Sequence, residues 1–116
     1  MEQNVIEVKS FQFAIRIVNL YKYLCSDKKE YVISKQLLCS GTSIGANVAE
    51  AQQAQSRPDF ISKLSIALKE TSETKYWLKL LNATGYFNTP EYDSIFSDCV
   101  ELEKLLVSIV RTAKQN

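Results

Sequence analysis

Any chemistry in this chain would have to run without histidine. None occurs among its 116 residues, which removes the commonest general base, the usual nucleophile–histidine triads and most zinc and di-iron sites. What remains at a useful spacing are two carboxylate pairs, Glu70 with Glu73 in "ETSE" and Asp98 with Glu101 in "DCVE". On a helix, residues three apart share a face, so each pair could hold a divalent cation. Glu50 is a third carboxylate to set beside Glu70 and Glu73. All-helical metal-dependent nucleotide pyrophosphatases use such pairs, and that is the alternative reading for this chain. The same spacing arises often on solvated helix faces, and the favoured reading has no catalytic residue, no metal and no cofactor.

The second unusual stretch is "SGTSIGANVAEA", residues 40–51, with two of the three glycines. A phosphate-cradling loop needs a strand before its glycines and Lys-Ser/Thr after them, and neither is present. A membrane dimerisation stripe needs an apolar span of about 20 residues, and this one is short and polar. The remaining reading is packing: Gly41, Gly45 and Ala46 thin one helix so that a neighbour's backbone can come close. Ser43, Asn47 and Glu50 beside the apolar stripe then need partners, because burying them unpaired costs several kcal/mol. We expect them to form a structural polar layer with Glu70 and Glu73 of the third segment, fixing helix register.

The elements that must position these groups are helices. Breaks fall at "SDKKE", "QSRPD" and "ATGYFNTPE". Pro58 and Pro90 each open a segment, Thr89 is a candidate N-cap, and Gly85 sits where a helix would stop. Tyr92, Ile95, Cys99, Leu102, Leu106, Ile109 and Ala113 step as a heptad seam. Phe60, Leu64, Ala67, Thr71, Thr74, Leu78 and Leu81 make another. Leu37, Gly41, Ile44, Val48 and Ala51 align in the second segment. The first segment carries two stripes. Ile6, Phe13, Ile17, Leu20 and Leu24 form one, while Val8, Phe11, Ile15, Val18 and Tyr21 form its neighbour. The pattern predicts one all-α domain, an antiparallel up-down-up-down four-helix bundle with helices over about 4–25, 31–53, 58–83 and 90–114. A second apolar face on a helix calls for another subunit to cover it.

Composition agrees with a folded domain. Hydrophobic residues make up 46% and charged residues 23%, ordinary globular values. The net charge of +1 lacks the basic excess of a dedicated nucleic-acid binder. Three separated cysteines with no CxxC suggest reduced, buried thiols. The acidic N-terminus does not read as a signal peptide, and no apolar run is long enough to span a bilayer. The expectation is a soluble, cytoplasmic protein without membrane contact.

"LLCSGTSIGANVAEA" (37–51), Arg57 to Phe60, and "ALKETSETKYWLKLL" (67–81) resemble the bacterial four-helix-bundle proteins known as 23S rRNA intervening-sequence proteins, also called ribosomal-protein-like. The family's S-I-x-x-N-[IV]-A-E pattern matches at Ser43, Ile44, Asn47, Val48, Ala49 and Glu50. Its helix pattern matches at Ala67, Leu68, Glu70, Glu73, Thr74, Trp77 and Leu78. Two departures stand out: Ala51 replaces a common glycine, and "LLCSG" replaces a stretch where many members carry arginines. The resemblance implies a non-enzymatic homo-oligomeric ring, commonly a pentamer, of undefined cellular role. A related branch, the accessory protein of diversity-generating retroelements, binds nucleic acid. A partner RNA or nucleic-acid-associated protein is therefore expected, bound weakly and without sequence preference. Arg57, Lys63, Lys69, Lys75 and Lys79 set against Asp59, Glu70 and Glu73 give segment 57–81 a local excess of two positive charges, with Tyr76 and Trp77 as candidate stacking platforms; the favoured alternative is that the lysines are a solvated face and Trp77 belongs to the core or a subunit interface.

Overall fold

The computed structural model describes residues 4–115. These form four α-helices and, among the described residues, no strand: α1 (Val5–Ser26), α2 (Ile33–Ala51), α3 (Arg57–Ala83) and α4 (Thr89–Gln115). Each helix starts where a side chain can accept the otherwise unpaired first N–H groups. Asn4 Oδ1 accepts from Glu7 N at 2.9 Å to cap α1, and Ser56 Oγ accepts from Asp59 N at 3.2 Å to cap α3. Asn88, rather than Thr89, caps α4. Its Oδ1 accepts from Glu91 N at 2.9 Å while Glu91 Oε1 accepts from Asn88 N at 3.4 Å, a reciprocal capping box. At the other end of α3, Gly85 takes φ +88° in open space and lets Tyr86 N reach back to Leu81 O at 3.0 Å.

α2 begins two residues later than the sequence predicts, because its cap comes from outside the helix. The Glu30 carboxylate accepts N–H bonds from Val32 (3.2 Å), Ile33 (2.9 Å) and Ser34 (2.7 Å), while Ser34 Oγ donates to Glu30 O at 2.8 Å. Burial by itself would push this carboxyl up. The donors from Ile33, Ser34 and Val32 outweigh it and hold the group below its usual range.

The helices pack in a closed cycle: α1 on α2, α2 on α3, α3 on α4, and α4 back on α1 through a thinner contact. The particle measures 46 × 24 × 20 Å. Its core is made of the predicted stripes: Ile6, Phe13, Ile17 and Leu24 from α1, Leu37, Ile44, Val48 and Ala51 from α2, and Leu64, Ala67, Leu78 and Leu81 from α3. The α4 seam departs from strict heptads. Ile95, Cys99, Leu102 and Leu106 are buried, but the next inward residue is Val110, with Ile109 and Ala113 only half-buried. A straight helix drifts by about 20° per heptad, so over the two heptads from Ile95 the seam turns by about 40° and Val110 comes round toward the core beside Ile109. No helix among the described residues is long and apolar enough to cross a membrane.

The glycines of α2 are where α1 comes in. A Cβ on Gly41 would stand 2.8 Å from Ile17 Cγ1 and 2.9 Å from Ile17 Cγ2, and one on Gly45 would stand 3.2 Å from the Ser10 carbonyl oxygen. Ile17 is fully buried and β-branched, so it has no alternative rotamer to move into. Gly41→Ala should therefore destabilise by about 1–3 kcal/mol despite alanine's better helix propensity, as measured by urea denaturation. An unchanged or higher midpoint would show that α1 does not sit this close.

Glu30 gives a pH-dependent counterpart. Its carboxyl is lowered on folding, so its contribution is present above the ordinary value of 4.5 and is lost as pH falls through the folded value. Glu30→Gln should cost about 1–2 kcal/mol at pH 7, the range for losing a helix cap. The gap between wild type and variant should close in denaturation curves taken progressively below pH 4.5.

Candidate functional site

The carboxylates singled out by spacing do not converge. Among the described residues no three His, Cys, Asp or Glu side chains gather as metal ligands. Asp98 and Glu101 face α1, where Arg16 Nη1 reaches Asp98 at 2.6 Å and Lys9 Nζ reaches Glu101 at 3.0 Å. Arg16 Nη2 also donates to Ser94 Oγ at 3.1 Å. The pair offered as a cation site is thus the polar seam of the thin α1–α4 contact. Glu73 accepts from Trp77 Nε1 at 3.1 Å. Glu70 is half-buried; burial pushes its carboxyl up, Glu73's charge adds to that, and Lys69 partly offsets it.

The buried polar layer lies elsewhere than Ser43, Asn47, Glu50, Glu70 and Glu73. Ser43 Oγ donates to Cys39 O at 2.7 Å and Asn47 Nδ2 donates to Ser43 O at 2.9 Å, so both are satisfied by their own helix. Glu50 is exposed and meets Lys63 of α3 at 3.3 Å. The interhelical hydroxyl contact is instead Thr74 Oγ1 to Ser40 Oγ at 3.0 Å, with Thr74 Oγ1 also bonded to Glu70 O at 2.7 Å. Cys99 Sγ donates to Thr71 O at 3.6 Å, joining α4 to the same level. Burial, aided by Glu103 and Asp98 and opposed by Lys75, pushes this thiol up to about 12. It is an inert proton donor at neutral pH. Cys25 is only half-buried and Cys39 is exposed, unlike the buried thiols expected. In the sequence Thr74 reads as a seam residue and Ser40 as part of the small-residue stretch, because a short hydroxyl side chain at such a position looks like a packing residue.

The basic residues of α3 are partly spent. Lys75 pairs with Glu103 at 2.9 Å, both side chains about three-quarters covered, and Lys63 pairs with Glu50. Lys79 Nζ lies 5.8 Å over the Phe96 ring. Arg57 and Lys69 are exposed and make no ion pair among the described residues. Trp77 is half-buried against the core with Tyr76 edge-on at 5.0 Å, which leaves Tyr76, 58% exposed, as the open aromatic face.

The most conspicuous surface is the second α1 stripe. Phe11 is 67% and Ile15 47% exposed. Beside them, Ala14 of α1 and Thr42, Gly45, Ala46 and Ala49 of α2 line a shallow hollow of about 390 Å³. The glycine and alanine face that admits α1 also leaves this hollow open.

The sequence profile of the 23S rRNA-intervening sequence proteins matches residues 2–108. The chain belongs to that family. A search of curated proteins finds no match. Among solved structures, it is similar to a protein with unknown function from the S23 ribosomal protein family of Bacteroides thetaiotaomicron VPI-5482. The two share 60% sequence identity with a TM-score of 0.90, over 91% of this chain and 98% of that one. The family's motif residues are mostly structural in position in this chain: Ile44, Val48, Ala67, Thr74 and Leu78 are buried, and Glu50 and Glu73 bond to Lys63 and Trp77.

The two α3 ion pairs should separate cleanly in double-mutant cycles. Coupling between Lys75 and Glu103 should reach about 1 kcal/mol or more because both groups are largely covered, whereas Lys63 and Glu50 should couple by well under 1 kcal/mol, the common value for exposed pairs. Equal couplings would show that burial at Lys75 does nothing.

Proposed function

We propose that this chain is a non-catalytic subunit that assembles with copies of itself into a ring, and that the assembly serves as a cytoplasmic scaffold for RNA or a nucleic-acid-associated protein. The observation that carries the reading is the exposed Phe11–Ile15 stripe with the adjoining hollow on α1 and α2. Burying an aromatic and a branched aliphatic side chain is worth about 1.5–3 kcal/mol each, and a monomer forgoes that. Ring closure is a head-to-tail contact, so a different surface must receive the stripe. Ile66, Tyr76 and Val107, exposed on α3 and α4, are the apolar residues available there.

The bundle in this reading is antiparallel up-down-up-down. Support comes from connections of only a few residues between successive helices and from Leu68 and Ser72 of α3 lining one groove with Val107 and Glu103 of α4. Ring size, five in this proposal, and nucleic acid as partner rest on the sequence resemblance, including that to the accessory protein of diversity-generating retroelements. Contact through Arg57, Lys63, Lys69, Lys75 and Lys79 is the weaker part of the proposal, since Glu50 and Glu103 already neutralise two of the five. The pyrophosphatase alternative draws no support from the dispersed carboxylates.

Light scattering should give a mass several times the 13.2 kDa of the chain. Phe11→Asp/Ile15→Asp should shift it to the monomer while leaving the helical circular-dichroism signal intact. A wild-type monomer persisting at tens of micromolar would overturn the assembly.

A further inference from the structure

Four of the lysines without an ion pair fall close together in the chain, away from α3. Lys22, Lys28, Lys29 and Lys35 span the end of α1, the connection and the first turn of α2. All four are exposed, and none makes an ion pair among the described residues. The acids in the same stretch offset only part of this charge. Glu30 is turned against the α2 N–H groups, and Asp27, exposed beside Lys28, keeps its charge, so four lysines against two acids leave the stretch with a net +2. Lys35 stands in the first turn of α2, where the helix dipole disfavours a cation and the offsetting acid is the Glu30 carboxylate just outside the helix.

Aromatic faces are interleaved with these charges. Tyr31 is 57% exposed in the connection and Tyr23 is 38% exposed in the last turn of α1, with Lys28 Nζ 5.9 Å above its ring. Lys29 takes φ 55°, the left-handed region, and this sharp reversal carries the chain from Lys28 to Tyr31. Exposed cations beside an open π-face such as that of Tyr31, on which a base can stack, are the chemistry of single-stranded nucleic-acid contact. A membrane surface fits less well. Interfacial insertion needs a broad apolar face, and here it would have only Val32 and two tyrosines.

We propose that the α1–α2 end of the bundle, centred on Lys28, Lys29 and Tyr31, is a contact site for single-stranded RNA, read through its phosphates and base stacking without sequence preference. The inference rests on the nucleic-acid part of the reading above and is independent of assembly, since Phe11 and Ile15 lie elsewhere on α1.

The test is fluorescence anisotropy of a labelled uridine dodecamer across a salt series, using wild type, Lys28→Glu/Lys29→Glu, Tyr31→Ala and Lys69→Glu/Lys79→Glu. All are repeated in the Phe11→Asp/Ile15→Asp background, so that lost avidity is separated from a lost site. The connection double variant should bind at least about tenfold more weakly and flatten the log–log salt slope by about 1.4, the value for two lost contacts to a single strand. Tyr31→Ala should weaken binding about fivefold or more. The α3 double variant should stay within about twofold of wild type, an arm that fails only if α3 carries the contact. The proposal is overturned if wild type does not bind the dodecamer at low salt, or if the two connection variants bind like wild type. It is equally overturned if only the α3 variant loses binding, or if phosphatidylglycerol vesicles are bound and the oligonucleotide is not.

Discussion

The close approach of α1 to α2 across Gly41 and Gly45 is the constraint on which the rest of the structure depends. Ile17 occupies the space where a Gly41 side chain would be, and the Ser10 backbone lies against Gly45. Bringing two helices this near buries Phe13, Ile17 and Leu24 in one continuous core with Leu37, Ile44 and Val48. It also turns the other apolar face of α1 outward, because a helix whose inner stripe is pulled into a narrow groove cannot bury residues well over 90° round from it. Phe11 and Ile15 are therefore exposed as a direct consequence of how Ile17 is seated.

The polar groups divide into two kinds, and burial separates them. Inside, Ser40, Thr71, Thr74 and Cys99 are neutral groups that bond to one another or to helix carbonyls, so they tie α2, α3 and α4 at one level without any buried charge. The Lys75–Glu103 pair lies near the same level but remains a quarter exposed, enough to keep both groups hydrated. Outside, the α1–α4 seam is held by Arg16–Asp98 and Lys9–Glu101 in place of an apolar stripe. Exposed ion pairs contribute little net stability. This seam is accordingly the thin one, and a cavity of about 470 Å³ lined by Arg16, Leu20, Phe87, Ser94 and Ile95 opens along it.

The same partition decides where cations remain available. Pairing removes Lys9, Arg16, Lys63 and Lys75 from the surface field, while Lys28 and Lys79, each over an aromatic ring, keep their charge. A near-neutral chain can still present a locally basic end, because the Glu30 charge is turned inward to serve α2. Net charge is a property of the sequence, but the field at a surface depends on which charges have been matched.

Sequence alone determined the four helices and their inner stripes, because a 3.6-residue period, prolines at segment starts and a glycine at a segment end act through local backbone physics. It also determined that "SGTSIGANVAEA" is a packing surface, since the lack of a lysine, a strand or a long apolar span eliminates the alternatives. The wide apolar girth of α1 was legible too, as two stripes on neighbouring faces. Only tertiary structure decided the partners of the polar groups. Asn47 and Glu50 look like members of one layer in the sequence, yet Asn47 turns back to its own helix and Glu50 reaches out to Lys63. Asp98 and Glu101 have metal-ligand spacing, but the side chains they meet belong to α1, 82 and 92 residues earlier in the chain. Glu30 reads as one more loop charge until the chain reversal at Lys29 aims it at the α2 N-terminus. Period and propensity are encoded within a few residues of one another. Electrostatic pairing is set by which helix faces which, and that geometry exists only once the chain has folded.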